Sequence, residues 1–109
     1  MTRIQIFRSG GKITGFEANG HSGYAEEGSD IVCSAVSALT QTAVMGLLDV
    51  AELPVKYSIE DGRLSCTIPK GVGDAGRMKA DMILETMLLG LRSMKENYGE
   101  YLKITEREV

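Results

Sequence analysis

The first residues of the chain alternate between apolar and polar side chains. Ile4 and Ile6 share one face of residues 3–7, and mostly polar side chains occupy the other face, which is typical of a half-buried β-strand. Gly10-Gly11 then favours a hairpin turn, because glycine adopts a positive φ without steric cost. Residues 12–19 are therefore predicted to return as a second strand.

In two longer segments the apolar residues recur at intervals of three and four, which predicts amphipathic helices. The first helix begins near Ser29 or Asp30, both good N-caps, and continues to about residue 50, where Leu53-Pro54 ends it. The second helix covers residues 74–97. Its apolar stripe consists of Leu84, Met87, Leu88, Leu91 and Met94.

Between the helices, residues 55–60 and 63–68 alternate around Asp61-Gly62, a strong signal for a second hairpin. Cys66 takes an inward position there, so we predict that it is a core residue. Residues 101–105 are predicted to form a last strand. The order ββαββαβ predicts an α+β fold in a single domain over residues 1–109, with a mainly antiparallel sheet and both helices packed on one face.

Composition narrows the classes of function. The 109 residues are 43% hydrophobic and 25% charged, with a net charge of −3, which is ordinary for a soluble globular protein. The acidic balance argues against non-specific nucleic-acid binding. We find no apolar run that approaches the ~18 residues of a membrane span, and no signal-peptide core. We therefore expect a cytoplasmic protein with reduced cysteines and no membrane or direct nucleic-acid partner.

Candidate chemistry centres on His21, the only histidine, and on Cys33 in the first turn of the predicted helix. Unpaired N–H groups and the positive end of the helix dipole favour an anion there, so this cysteine can exist partly as the reactive thiolate. A histidine nearby can act first as base and then as acid. The alternative is a small buried hydrophobic cysteine and an ordinary surface histidine, because spacing alone does not bring the two together.

Two further residues are candidates for supporting roles at this site. Asp30 could orient His21, although an acidic residue at a helix start also complements the dipole without any catalytic role. Ser34 could add a hydroxyl beside the thiol, although serine is common in helices.

A glycine-rich loop precedes the first helix. Such a loop can open to admit a peptide and close around it, or it can be a connection that needs unusual φ values. Its candidate substrate-contacting residues are Gly20, Ser22, Gly23, Tyr24 and Gly28.

Residues 71–76 match the G-x-G-x-x-G pattern of dinucleotide-binding sites. They follow a tight hairpin, and the chain is too short for the doubly wound fold, so we interpret them as a turn and helix start. One histidine and two separated cysteines do not form a zinc site. We therefore expect no metal and no cofactor.

The run from Gly20 to Ser37, GHSGYAEEGSDIVCSAVS, resembles the signature of the ribosomal-processing cysteine protease family Prp, also called the YsxB-like family. The family pattern reads roughly G-H-[small]-G-Y-A-x-x-G-x-D-I-V-C-[small]-A-V-S. The resemblance implies that Cys33 is the nucleophile and His21 the general base, with Asp30 matching the family's Asp. It also implies a homodimer whose substrate is the N-terminal extension of large-subunit ribosomal protein L twenty-seven, cleaved after an aromatic residue in a short apolar stretch.

Two other functions remain open alongside the protease. One is a non-catalytic ribosome-associated module that uses the same loop as a peptide clamp. The other is a thiol redox sensor, which would need Cys66 to approach Cys33. Separately, Met78, Met82 and Leu89 lie outside the main stripe of the second helix, where they form either a dimer seam or part of a thick core.

Overall fold

The computed structural model describes residues 1–20 and 31–109, and over these ranges it has five strands and two helices in the predicted order ββαββαβ. The strands are β1 (Thr2–Ser9), β2 (Lys12–Asn19), β3 (Lys56–Glu60), β4 (Arg63–Thr67) and β5 (Leu102–Glu108). The helices are α1 (Ile31–Met45), continued by a π-helical segment at Gly46–Val50, and α2 (Gly73–Tyr98). The α+β class is confirmed. The predicted N-caps of α1, Ser29 and Asp30, lie outside the described residues.

The described strands form one sheet in the order β3-β4-β2-β1-β5. The pairs β1–β2, β2–β4 and β3–β4 are antiparallel. The glycine turns at Gly10-Gly11 and Gly62 account for the first and the last of these pairs. β5 joins β1 in parallel, with Leu102 opposite Thr2. The sheet is therefore mainly antiparallel, as predicted, and β3 and β5 are its edges.

Alternation along the strands gives the sheet one apolar face, and both helices pack on it. Ile6 of β1, Phe16 of β2 and Cys66 of β4 lie side by side on this face and are at most 1% exposed. The predicted stripe of α2 is buried against them, with Met94 partly buried. Burial of each such large apolar side chain stabilises the fold by roughly 1.5–3 kcal/mol.

The end of α1 departs from the continuous helix that the apolar spacing predicts. The N–H of Ala51 donates to the carbonyl of Gly46 at 2.8 Å, a bond across five residues that widens the helix into the π-helical segment. Leu47 stays fully buried while Val50 is turned outward and is 78% exposed. The apolar spacing predicts the helix but not this change of hydrogen-bond register, which depends on packing.

The segment Ile31–Val50 is long and apolar enough to cross a membrane by length and composition, with a mean hydropathy of 1.7. The prediction that no run approaches such a length was therefore wrong. In the structure, Val36, Val44 and Leu47 pack this helix into the core beneath the sheet. Because core helices of soluble proteins also have this composition, the segment is weak evidence for a membrane location.

A charged cluster joins β1, β5 and α2 near the carboxyl end of β1. The guanidinium of Arg8 donates two bonds to the carboxylate of Glu85, at 2.8 and 3.2 Å, and one to Glu106 at 2.5 Å. Arg92 also pairs with Glu106. The bonds from Arg8 hold the pKa of Glu106 below its ordinary value, and the carboxylates raise the pKa of Arg8.

Candidate active site

Cys33 lies in the first described turn of α1, where its side chain is partly exposed. It lines a cavity of about 240 Å³ that is bounded by α1, the end of β2 and the β3–β4 hairpin. The Cys33 thiol therefore lies at one end of the sheet, where β2 and β3 end and β4 begins.

The buried lining of this cavity is mainly apolar, with Thr2 and Thr40 as its polar members. Val36 from α1, Ala18 from β2 and Leu64 from β4 line it, and each is less than 10% exposed. Thr40 also lines the cavity, but its hydroxyl donates to the carbonyl of Val36 at 2.8 Å and is thereby satisfied within the helix. The space beside Cys33 consequently suits an apolar side chain.

The rim of the cavity comes from the β3–β4 hairpin, which contributes the charged residues Glu60, Asp61 and Arg63. The N–H of Gly20 donates to the carbonyl of Gly62 at 2.8 Å and fixes the end of β2 to this hairpin. Gly20 has a φ of 85°, and a Cβ there would lie 2.9 Å from the carbonyl oxygen of Met1. Only glycine fits this position without strain, so the first residue of the predicted loop has a structural reason for its identity.

The structure shows some of the predicted site residues at the cavity and does not describe others. Gly20 and Cys33 line the same cavity. Ser34 is exposed and is not among the residues that line it. The remaining predicted residues lie outside the described ranges: His21, Ser22, Gly23, Tyr24, Gly28 and Asp30.

Cys66 is a core residue, as predicted. It is 1% exposed in β4, and burial raises the pKa of its thiol to about 11. A thiol in this state is inert at neutral pH, because the thiolate is the reactive form.

Sequence reasoning did not assign Ile59, Arg63, Leu64 or Thr2 to the site. These residues reach the cavity because β4 pairs with β2 and β1 lies on the other side of β2. The Oγ1 of Thr2 is buried and has no hydrogen-bond partner among the described residues. The sequence signal nearest to these residues is the Asp61-Gly62 turn, but only the pairing of β4 with β2 brings that turn beside the end of β2 at Asn19.

The glycine-rich run before α2 is a turn and helix start, as predicted. Gly71 and Gly73 have positive φ, 82° and 79°, and the helix begins at Gly73. Across residues 1–20 and 31–109, no three histidine, cysteine or acidic side chains are grouped so that they could hold a metal ion.

Comparison with known proteins agrees with this architecture. A family profile described as cysteine protease Prp matches residues 1–103. The ribosomal processing cysteine protease Prp of Bacillus subtilis (strain 168) is 31% identical over 108 residues, which cover 96% of each chain.

Two solved structures of the Staphylococcus aureus protease Prp have the same fold. The crystal structure with a covalently linked product peptide has a TM-score of 0.87 at 26% identity, covering 98% of this chain and all of the other. The structure with a substrate peptide has a TM-score of 0.83 at 25% identity, with the same coverage. The chain therefore belongs to the cysteine protease Prp family and is a cysteine protease, as the sequence predicted.

Proposed function

We propose that this protease is a cytoplasmic endopeptidase that removes the N-terminal extension of large-subunit ribosomal protein L twenty-seven. Residues 1–109 act as a single protease domain in which Cys33 is the nucleophile and His21 the general base. The observation that carries the proposal is the position of Cys33, in the first described turn of a helix and in the lining of a cavity between that helix and the β3–β4 hairpin. The ribosomal-processing relatives support the choice of substrate.

The reaction follows from the chemistry of a thiolate beside an imidazole. The Cys33 sulfur attacks the peptide carbonyl and forms a C–S bond, and the C–N bond then breaks as His21 protonates the departing amine. Water, deprotonated by His21, attacks the thioester and returns the thiol. Backbone N–H groups at the helix start stabilise the oxyanion. Asp30 and Ser34 have supporting roles, and Gly20, Ser22, Gly23, Tyr24 and Gly28 form the loop that closes over the peptide.

The test is cleavage of the organism's own extended ribosomal protein by matched cysteine variants. Cys33→Ala should reduce kcat by at least about a thousandfold, because removal of the nucleophile leaves no acyl-enzyme route. Cys66→Ala should keep most activity, because Cys66 lies in the core. Undiminished cleavage by Cys33→Ala would disprove the nucleophile assignment.

The two alternatives that the sequence left open lose their support. A non-catalytic peptide clamp does not fit membership of a cysteine protease family. A redox sensor needs a resolving thiolate near Cys33, and burial instead keeps the thiol of Cys66 protonated.

The proposed protease acts as a homodimer, with the seam on α2. Met78, Met82 and Leu89 are 63%, 67% and 67% exposed, and their spacing of four and seven residues places them on one stripe of the helix. Met82 also borders an apolar groove of about 560 Å³ between α1 and α2, together with the exposed Val50. An exposed apolar surface of this kind is typical of a protein interface.

A further inference from the structure

β3 is an edge strand with unusually apolar exposed side chains. All five of its residues are exposed, and Tyr57 and Ile59 are 51% and 50% exposed. Natural proteins ordinarily protect such edges with charge. The opposite edge strand, β5, fits that rule, because Lys103, Glu106, Arg107 and Glu108 lie along it. β3 has charged residues only at its two ends.

The side chains of Tyr57 and Ile59 lie on the face of the sheet that packs against the helices. Tyr57 is directly opposite Cys66, and Ile59 is directly opposite Leu64. Both partners are buried on that face, and directly opposed residues of antiparallel strands point to the same side.

The backbone groups of these two residues point away from the sheet. The N–H of Ile68, just after β4, donates to Thr14 of β2. By the alternation of an antiparallel ladder, Ser65 directs its backbone groups the other way, towards Ser58 of β3. The neighbours of Ser58 on β3, Tyr57 and Ile59, therefore present their N–H and C=O groups at the outer edge of β3, an open edge in the sense that no described strand pairs with it.

This open edge is continuous with the cavity of Cys33. Ile59 lines that cavity together with Leu64 of the adjacent strand. A chain that paired with Tyr57 and Ile59 would therefore run along the rim of the cavity that contains the thiol.

We propose that the substrate peptide binds as an additional strand on β3, pairing its backbone with Tyr57 and Ile59 while one of its apolar side chains enters the cavity beside Cys33. The inference rests on the proposed peptidase function and identifies how the substrate is held. Edge pairing supplies affinity through main-chain hydrogen bonds, and pockets for alternate side chains supply specificity. The substrate class is thus an extended peptide with an apolar residue facing the cavity.

The first test is an N-methyl scan of a cleavable substrate peptide, one backbone nitrogen at a time, on the wild-type enzyme. Methylation removes one N–H donor and leaves the side chain unchanged. Because a strand directs its N–H groups alternately to either side, KM should rise roughly five- to tenfold at every second position near the cavity, with little change between them.

The second test compares two neutral variants of the same strand. Ile59→Gln should raise KM about fivefold, because peptide binding covers the half-exposed Ile59 side chain. Ser58→Gln is the matched control, since residue 58 faces the other side of the sheet, and its KM should stay within twofold of wild type. Thermal unfolding of both variants verifies that the fold is intact.

The outcomes separate this inference from the function on which it rests. A wild-type enzyme that cleaves the parent peptide but shows no period of two in the methyl scan would overturn β3 pairing and leave the protease function standing. If Ile59→Gln changes the oligomeric state without changing KM, the edge holds a second copy of the chain, and the proposal is wrong. Failure of wild type to cleave the parent peptide would overturn both.

Discussion

Cys33 and Cys66 are the same side chain in different surroundings. Cys33 is partly exposed at the start of α1, whereas Cys66 is 1% exposed between strands of the sheet. At a helix start the dipole and unpaired N–H groups favour the thiolate, and in the core the absence of water disfavours it. The position of each cysteine in the fold therefore decides how reactive its thiol is.

Iodoacetamide should therefore discriminate between the two thiols. At about pH 7.5 we expect Cys33 to be alkylated at least ten times faster than Cys66, because a pKa of about 11 leaves Cys66 almost wholly protonated. Peptide mass spectrometry at timed intervals measures both sites. In urea the two rates should converge, and equal rates in the native protein would contradict the assignment of Cys66 to a closed core.

The charged cluster around Arg8 joins three secondary-structure elements, β1, β5 and α2. Glu106 of β5 receives bonds from both Arg8 and Arg92. Its pKa is lowered in the folded protein, so its contribution to stability is present above its unfolded pKa and is lost as the pH falls through the folded value.

Acid unfolding should expose this contribution. Between about pH 5 and pH 3, wild type should lose more free energy of unfolding than Glu106→Gln, since the variant has no carboxylate to protonate. Denaturant titrations at each pH measure the difference. Glu108→Gln is the control, on the same strand and with no ion pair among the described residues. A Glu106→Gln curve parallel to that of wild type would mean that the Glu106 carboxylate does not contribute to the stability of this junction.

Elements specified by local signals could be predicted from the sequence. Gly10-Gly11 and Asp61-Gly62 define both hairpins, and the apolar spacing defines α2. The parallel pairing of β5 with β1 has no local signal, because its partners are distant in sequence. The candidate site could also be predicted only in part. Cys33 could be placed at a helix start, but the cavity wall at Ile59 and Leu64 depends on the order of strands in the sheet.

The exposed apolar stripe on α2 bears on the proposed homodimer, and it is therefore considered at the scale of the whole molecule. Met82→Glu should convert a dimer to a monomer at micromolar concentration, since a charge in an apolar seam loses its water without gaining a partner. Light scattering after size exclusion measures the mass. Stability should change by less than about 0.5 kcal/mol, because Met82 is exposed in the single chain.

Thr67→Glu is the matched control for this dimer prediction. Residue 67 is exposed on the sheet face opposite the helices, so the same new charge should leave the dimer intact. A wild-type protein that is monomeric at micromolar concentration, or a dimer that survives Met82→Glu, would place the apolar stripe outside any seam.

The pairing of β5 with β1 also determines when this protein can become a folded enzyme. Residues 2–8 pair with residues 102–108, so β1 must wait for almost the whole described chain to be synthesised before its second neighbour exists. Until then, β2 is the only described strand with which β1 can pair. Contacts between such distant segments slow folding, because a long loop must close before they form. The five-stranded sheet can therefore form only after the residues of β5 have been synthesised.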